Sequence, residues 1–402
     1  HMSLTMTLNG AAIDMGSVEF NTTIMHGRST VTDVPTASNA QLVIRGAAGP
    51  VMEISDTLVI SFDGQPRFTG KISDIDVSFT GTNPPTAVTT VTGMGNLAEL
   101  GLVDVGASGF VEETVRQRVE AILTASGVTF LNGGDANITV KAVPAVDAVI
   151  TTAWDGIAAM ATQSGATFYD TPDGTVVFED YGNRGQTTLS GIWSQQTTTW
   201  ANTPGTWASI APGINGTTID GAGIILSPTW TKQLEPLIND ITVTYGTDQS
   251  IQQTDSSSIA AYGRREYLLD TTISDVNDAT IRGGQVITAQ ANPLWNLGQI
   301  SILVNLLDAA TTTAVMELIS GSLLRIFNLP AQGPYDDYTG IVEGWADSYN
   351  GGNHTLTLSI SDPRFSYQIL KWQDVIPDLI WGDVYNQTRW FETVSNNDLI
   401  GV

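Results

Sequence analysis

The chain has 402 residues, only 14% of them charged, and 41 acidic against 16 basic residues give a formal charge of −25. A surface this acidic repels phosphate, so neither sequence-specific nucleic-acid binding nor docking on an anionic membrane is expected. With no cysteine and three histidines, disulfides, thiolate nucleophiles and Cys-ligated zinc drop out. There is also no apolar run long enough to span a bilayer, about 18 residues. The opening His1-Met2-Ser3-Leu4-Thr5 lacks a basic stretch followed by an apolar one, so no signal peptide is expected. Thr, Ser, Asn, Gln and Gly take the place of the missing charges, a composition suited to sheets and turns. The length leaves room for roughly two to four domains.

Residues 3–100 alternate polar and apolar side chains in short runs, as in Gln41-Leu42-Val43-Ile44-Arg45 and Thr57-Leu58-Val59-Ile60-Ser61-Phe62. Asp63-Gly64 between two such runs predicts a hairpin, and the region reads as a small β-barrel or sandwich. At about residue 111 the period changes. Val111, Val115, Val119 and Ile122-Leu123 recur at helical spacing, with Glu112-Glu113 in the first turn and Gly127 as the stop. A second helix is expected over 152–163, carried by Trp154, Ile157, Ala158 and Ala161 and ended by Gly165. Ala166 to Phe178 then reads as a hairpin turning at Pro172-Asp173-Gly174.

Residues 182–229 are rich in Thr, Gly and Trp, with Trp193, Trp200 and Trp207 evenly spaced; Trp372, Trp381 and Trp390 recur in the same way near the C-terminus. Pro204-Gly205 and the Thr runs oppose a helix, and odd spacings alternate faces along a strand. These six tryptophans are the candidate interaction anchors, plugs that hold an extended arm on a neighbour; a sugar-stacking platform is the alternative. Residues 230–365 return to strands with one helix near 275–291, opened at Thr272-Ile273-Ser274-Asp275 and closed by Asn292-Pro293.

A weak repeat links the two ends. Phe68-Thr69-Gly70-Lys71-Ile72 resembles Tyr338-Thr339-Gly340-Ile341-Val342. Each follows a comparable strand and precedes a Gly/Asn turn and another strand, Val88–Thr92 or Leu356–Ile360. If the repeat is real, two similar barrels flank the α+β unit, and three such chains would place six barrels in a ring.

The order of these elements resembles the hub proteins of phage baseplates and tail tips, in particular the minor tail proteins of phages infecting actinobacteria. The resemblance is carried by Trp154-Asp155-Gly156-Ile157-Ala158 through the 173–178 hairpin strand, by Leu237–Val243, by Asp255–Arg265 and by Val342-Glu343-Gly344-Trp345 with Ser359–Pro363. It covers most of 3–365 and implies a mainly β fold with an inserted α+β unit and two tube-type barrels. The implied domains are a first barrel over 3–109, the inserted unit over 110–181, a Trp-rich insertion over 182–229, a second barrel over 230–365 and an arm over 366–402. It further implies a homotrimer at the tail tip of a virion, assembled in the host cytoplasm. Its partners would be the tail-tube or distal tail protein, the tape-measure protein and other tip proteins. An acidic lumen would then let DNA pass without binding it.

Catalysis is not expected, and neither is a cofactor or a metal. Beyond His1, His26 reads as lying in a turn and His354 at a hairpin tip, neither placed for a triad. Asp336-Asp337 and Glu179-Asp180 are pairs that a glycosidase could use, but 41 acidic residues supply such pairs by chance. Gly93-Met94-Gly95-Asn96 lacks the Gly-Lys of a phosphate loop. Three readings remain: a structural hub, a module binding a host surface glycan or receptor through Trp193, Trp200 and Trp207, and a tail-associated hydrolase.

Overall fold

A computed structural model describes residues 4–14, 21–45, 52–81, 85–133, 142–179, 184, 217–234, 237–350 and 353–365. In the N-terminal part, β1 (Leu4–Leu8), β2 (Ala11–Ala12), β3 (Asn21–Gly27), β4 (Thr36–Arg45), β5 (Thr57–Phe62), β6 (Gln65–Thr80) and β7 (Thr86–Gly95) pair in the order β3-β4-β7-β6-β5-β1-β2, all antiparallel. Alternation builds the core: Leu58, Ile60 and Phe62 of β5 are buried, whereas Thr57, Val59 and Ser61 are not. Asp63 and Gly64 take φ of 47° and 83°, the left-handed pair that a two-residue hairpin needs.

The inserted unit holds β8 (Asp104–Val105), β9 (Glu113–Thr114), α1 (Val115–Ser126), β10 (Phe130–Gly133), β11 (Ala142–Val143), β12 (Thr151–Thr152), α2 (Ala153–Ser164), β13 (Thr167–Asp170) and β14 (Val176–Glu179). Thr114 and Gln117 form a capping box, so α1 opens at Val115 and Glu113 stands ahead of it rather than in its first turn. Val119, Ile122, Leu123, Ile157, Phe168 and Phe178 pack into a core of their own.

The C-terminal part opens with β15 (Thr217–Asp220) and β16 (Ile225–Thr231). The chain then leaves the main sheet to form β17 (Asp240–Tyr245), β18 (Gln249–Thr254), α3 (Ser256–Tyr262), β19 (Glu266–Leu269) and α4 (Val276–Gln290). These make a small β18-β17-β19 sheet backed by α4, with Ile241, Val243, Leu269, Ala279 and Val286 between them. The chain returns as β20 (Asn296–Leu303), α5 (Ala309–Met316), β21 (Leu323–Phe327), β22 (Tyr338–Asn350) and β23 (Asn353–Ser361). α4 is the expected helix, capped by Asp275. α3 and α5 were not expected from periodicity. Both are short and begin at an Asp cap, and Ala309-Ala310-Thr311-Thr312-Thr313 offers no apolar stripe to read.

The mainly β class with an inserted α+β unit is what the sequence implied. What it did not reveal is that the two β parts share one sheet. The path runs β16-β20-β23-β22-β3-β4-β7-β6-β5-β1-β2, with β21 and β15 attached at β22. Its middle link is β22 against β3, in register from Gly344↔Gly27 to Asn350↔Asn21. One hydrophobic core accompanies it, running from Met6 through Phe68 and Tyr338 to Ile360. Among the described residues no pairing closes either part into a complete barrel.

The repeat is real at the level of hydrogen bonding. The order β3-β4-β7-β6-β5 in the first part matches β16-β20-β23-β22-β21 in the second, antiparallel at every step. Both long strands carry a bulge at the same place, Ser73 between Ile72 and Asp74 and Glu343 between Val342 and Gly344. The shared aromatic-Thr-Gly has a packing reason. Residues two apart on a strand share a face, so the rings of Phe68 and Tyr338, both fully buried, fold over Gly70 and Gly340. A Cβ at Gly70 would lie 2.7 Å from the Phe68 ring and 2.2 Å from the Met94 carbonyl oxygen; at Gly340 it would lie 2.9 Å from the Tyr338 ring and 2.2 Å from Ile360.

Gly70→Ala and Gly340→Ala are expected to destabilise the protein by about 1–3 kcal/mol each. Gly101→Ala, whose added methyl meets nothing within 4 Å, should stay within about 0.5 kcal/mol. Urea denaturation of the three variants checks this.

Candidate assembly surface

The joint between β3 and β22 brings two backbones unusually close. A Cβ at Gly27 would sit 2.3 Å from the Glu343 carbonyl oxygen, and one at Gly344 would sit 2.5 Å from that of His26. Glycine is required at both places, and at Gly27 a φ of +73° requires it again.

On one side of this joint the charges are paired in the dry. Arg67 of β6 donates from Nε to Asp347 of β22 at 2.8 Å, and both side chains are wholly buried. Its Nη1 donates to the Met316 carbonyl at the end of α5, and its guanidinium lies 3.8 Å from the centre of the Trp345 ring. Trp345 stacks on His26 of β3, 4.2 Å between centroids. The second Asp347 oxygen meets His354 Nε2 at 2.7 Å. That imidazole is enclosed by Phe62 and Tyr349, at 4.7 and 4.2 Å, so the His–Asp pair binds β23 to the joint and has no path to a substrate. Burial opposes the Asp347 charge, but Arg67 and His354 more than offset it and hold the carboxyl below its usual range.

A second cluster gathers at the bulge. Glu343 accepts from Arg28 Nε and Arg184 Nη2, each at 2.8 Å, and from the Ser361 hydroxyl. Burial alone would raise this carboxyl; the two guanidiniums pull it down to about 2. Glu179 of the inserted unit behaves in the opposite way: burial pushes it up to about 7 against the pull of Arg184 and the Tyr169 hydroxyl. The inserted unit is also fastened through Asp170, which accepts from the Ser38 amide at 3.1 Å and the Ser38 hydroxyl at 2.6 Å. His26 places its ring nitrogens 3.2 Å from the Asp170 carbonyl and 2.9 Å from that of Arg67, and burial lowers its pKa.

His26 is therefore inside strand β3 and buried, not in a turn. The apolar alternation that pulls β3 into the core buries this ring with it. His354 follows the hairpin as expected, but points inward. Asp337 of the acidic pair 336–337 is held by Arg325 of β21 at 3.1 Å. No cluster of three or more His, Asp or Glu suited to a metal is present among the described residues. Trp193, Trp200, Trp207, Trp372, Trp381 and Trp390 all lie outside the described residues. The aromatic that anchors the described joint is Trp345, which the sequence offered among the residues of the resemblance and not as an anchor.

Among the strands that pair on one side only among the described residues, two sit at matched places in the repeat. β6 pairs with β5 only up to Lys71, so among the described residues Ser73–Thr80 have a partner, β7, on one side alone. The same stretch of β22 is covered by β3. The difference shows in exposure: β22 is buried through most of its length, whereas Val77 and Phe79 of β6 are 56% and 69% exposed. The second open edge belongs to β16, which pairs only with β20 among the described residues.

Breaking the buried pair should cost more than deleting it. Arg67→Met strands the Asp347 charge and is expected to destabilise by about 3–5 kcal/mol, with much of that recovered in Arg67→Met/Asp347→Leu; a denaturation double-mutant cycle measures the coupling. The two glutamates give opposite pH signatures. Glu343 titrates lower in the folded chain than its ordinary 4.5, so its contribution is present above pH 4.5 and is lost as pH falls toward 2. Glu179 titrates higher than 4.5, so its contribution is present below pH 4.5 and declines as pH rises to about 7. Glu179→Gln should therefore raise the melting temperature at pH 8, by about 1–2 kcal/mol of stability, and leave it unchanged near pH 4, as thermal melts at the two pH values will show.

No family model matches this chain, and neither does any curated protein sequence. Solved structures do. The 43 kDa tail protein of prophage MuSo2 from Shewanella oneidensis superposes with a TM-score of 0.61 at 12% identity, over 90% of this chain and 99% of its own. The tail protein from Neisseria meningitidis MC58 gives 0.61 at 13% identity over 91% and 99%. Prophage tail protein gp18 from Listeria monocytogenes EGD-e gives 0.50 at 10% identity over 89% and 94%. Across nearly its whole length, the chain has the fold of these phage tail proteins.

Proposed function

We propose that this protein is a structural component of a phage tail, a hub or minor tail protein at the tip. In this reading three copies close into a ring that continues the tail tube and joins it to the tip proteins. The observation that carries the ring is the joint itself. Within one chain, β3 of the first part pairs with the far half of β22 in the second. In the repeat, β16 is the counterpart of β3, and Ser73–Thr80 of β6 is the counterpart of that half of β22. Both stand open among the described residues. Exposed edges invite pairing, and β16 of one copy laid on β6 of the next would repeat the internal joint from chain to chain. With two equivalent parts per chain, three copies give six positions, and the head-to-tail contact closes if each step turns by about a sixth of a circle.

The fold of prophage tail proteins supports the location in the virion. The charge of −25 suits a channel that conducts DNA without binding it, because acidic walls repel phosphate. The tape-measure protein and the tube-end protein are the partners such a ring would meet. Its paired carboxylates and histidines hold strands together, so a scaffolding role without catalysis is the reading these residues support.

Light scattering at rising concentration should give three times the 42.7 kDa chain mass. Phe79→Asp places a charge on the open edge and should return the mass to that of one chain with the melting temperature unchanged. A mass that stays at one chain at all concentrations, or a trimer indifferent to Phe79→Asp, would contradict the edge pairing.

A further inference from the structure

The repeat can be followed across the sheet residue by residue. In the first part the backbone pairs run Asp74↔Thr92, Thr92↔Gln41 and Gln41↔Thr23. In the second they run Gly344↔Ser359, Ser359↔Gln299 and Gln299↔Thr229. Both rows start one residue past the bulge, and they share Gln41 with Gln299 and Thr23 with Thr229 as the same residue types. The turn beside the bulge matches too: the amides of Ser55 and Gly321, at φ of 76° and 90°, donate to the Ile72 and Val342 carbonyls at 2.8 Å. Inside the chain Thr23 lies opposite Ser348. Ser348 stands four residues past Gly344, as Ser78 stands four past Asp74. We infer that, given the head-to-tail ring, copies join in one register, Thr229 of one copy opposite Ser78 of the next, which sets Trp230 against Val77 and Pro228 against Phe79 in an apolar seam.

The seam differs in chemistry from the joint it copies. In the joint this face of β22 sets Asp347 and Tyr349 against Ile24 and Thr22, and Asp347 is held by Arg67 and His354. Along β6 the matching positions hold Val77 and Phe79, neither charged and both largely exposed in the single chain. Trp230 already packs against the core and on the rings of Tyr335 and Tyr338, so it offers a fixed apolar surface. Covering Val77 and Phe79 is the driving force, and Thr opposite Ser is a favourable pair across antiparallel strands. Pro228 forgoes one ladder hydrogen bond at most. A slip of one residue would turn Val77 and Phe79 to the wrong face. On the other face the register sets Asp74 and Asp76 against Gln233 and Thr231, so like charges do not meet although each chain carries −25. Salt screens the repulsion between two such chains and leaves an apolar seam intact.

The chain has no cysteine, so introduced thiols report the register. The full chain carrying Thr229→Cys/Ser78→Cys is oxidised mildly. Its mass is read natively by light scattering, and again under denaturing, non-reducing conditions. Residues directly opposite on antiparallel strands lie about 4.5–5.5 Å apart at Cα, within reach of a disulfide, whereas a step of two along one strand takes them to about 7–8 Å. The register predicts chains linked to one another through this pair, while the control Thr231→Cys/Ser78→Cys keeps its thiols. It also predicts an assembled native mass that holds from about 0.1 to about 1 M NaCl. A native mass of three chains with the first pair still reduced would overturn the register and leave the ring standing, as would linkage of the control pair in its place. Chains linked by Ser78→Cys alone, a disulfide closed at single-chain mass, or a native mass of one chain throughout would remove ring and register together. Dissociation by salt would overturn the apolar seam.

Discussion

The β3–β22 joint is the constraint on which the rest of the molecule depends. Two strands separated by more than 300 residues in sequence meet there with no room for a side chain at Gly27 or Gly344, and that contact turns two β parts into one sheet with one core. Closing so long a loop is entropically costly, and it is offset by what the joint buries. Trp345 and His26 stack, and Arg67 and Asp347 are paired in full burial. A buried ion pair of this sort adds little net stability against an apolar replacement, but it penalises any other register severely, because a shift would leave both charges unpaired. Its contribution is therefore to specify which strands meet. Glu343 acts in the same way one step along, drawing Arg28 from the first part and Arg184 from beyond the inserted unit onto the bulge.

The class of fold was legible in the sequence because it rests on local signals. Alternation along β4 and β5, Asp63-Gly64, the glycine stops of α1 and α2, the polar start and Asn292-Pro293 stop of α4, and the hairpin ending in β14 all rest on residues close together in sequence. The aromatic-Thr-Gly repeat was legible too, and its cause is now plain, since a ring two residues away occupies the space a Cβ would need. Sheet continuity was not legible, because pairing of β3 with β22 leaves no trace in either strand's periodicity. Nor was the importance of Arg67: an arginine at the start of an apolar strand looks like a surface residue until its partner, 280 positions later, is in place. His26 was misplaced for a related reason. A small Met-His-Gly-Arg stretch reads as a turn, but the glycine is there for close backbone approach and the histidine faces the core.

The candidate anchors chosen from the sequence were tryptophans at regular spacing, read as plugs that hold an arm on a neighbour, whereas the joint uses a tryptophan inside a strand. The two roles differ physically. Trp345 fixes the relation of two parts of one chain, and the Trp-rich segments belong to stretches outside the described fold. Likeness at 10–13% identity with nearly full coverage means that the pattern of pairing, and not the residues, is what these chains hold in common.

The central claim is that the joint inside one chain is repeated between chains. The most direct test is electron-microscopic imaging of the assembled protein at a resolution that separates strands. The account predicts a closed ring of three chains in which β16 of each copy lies antiparallel to Ser73–Thr80 of the next, giving one uninterrupted sheet around the circumference. A ring whose contacts lie elsewhere, with β16 and the far half of β6 still open, would contradict it.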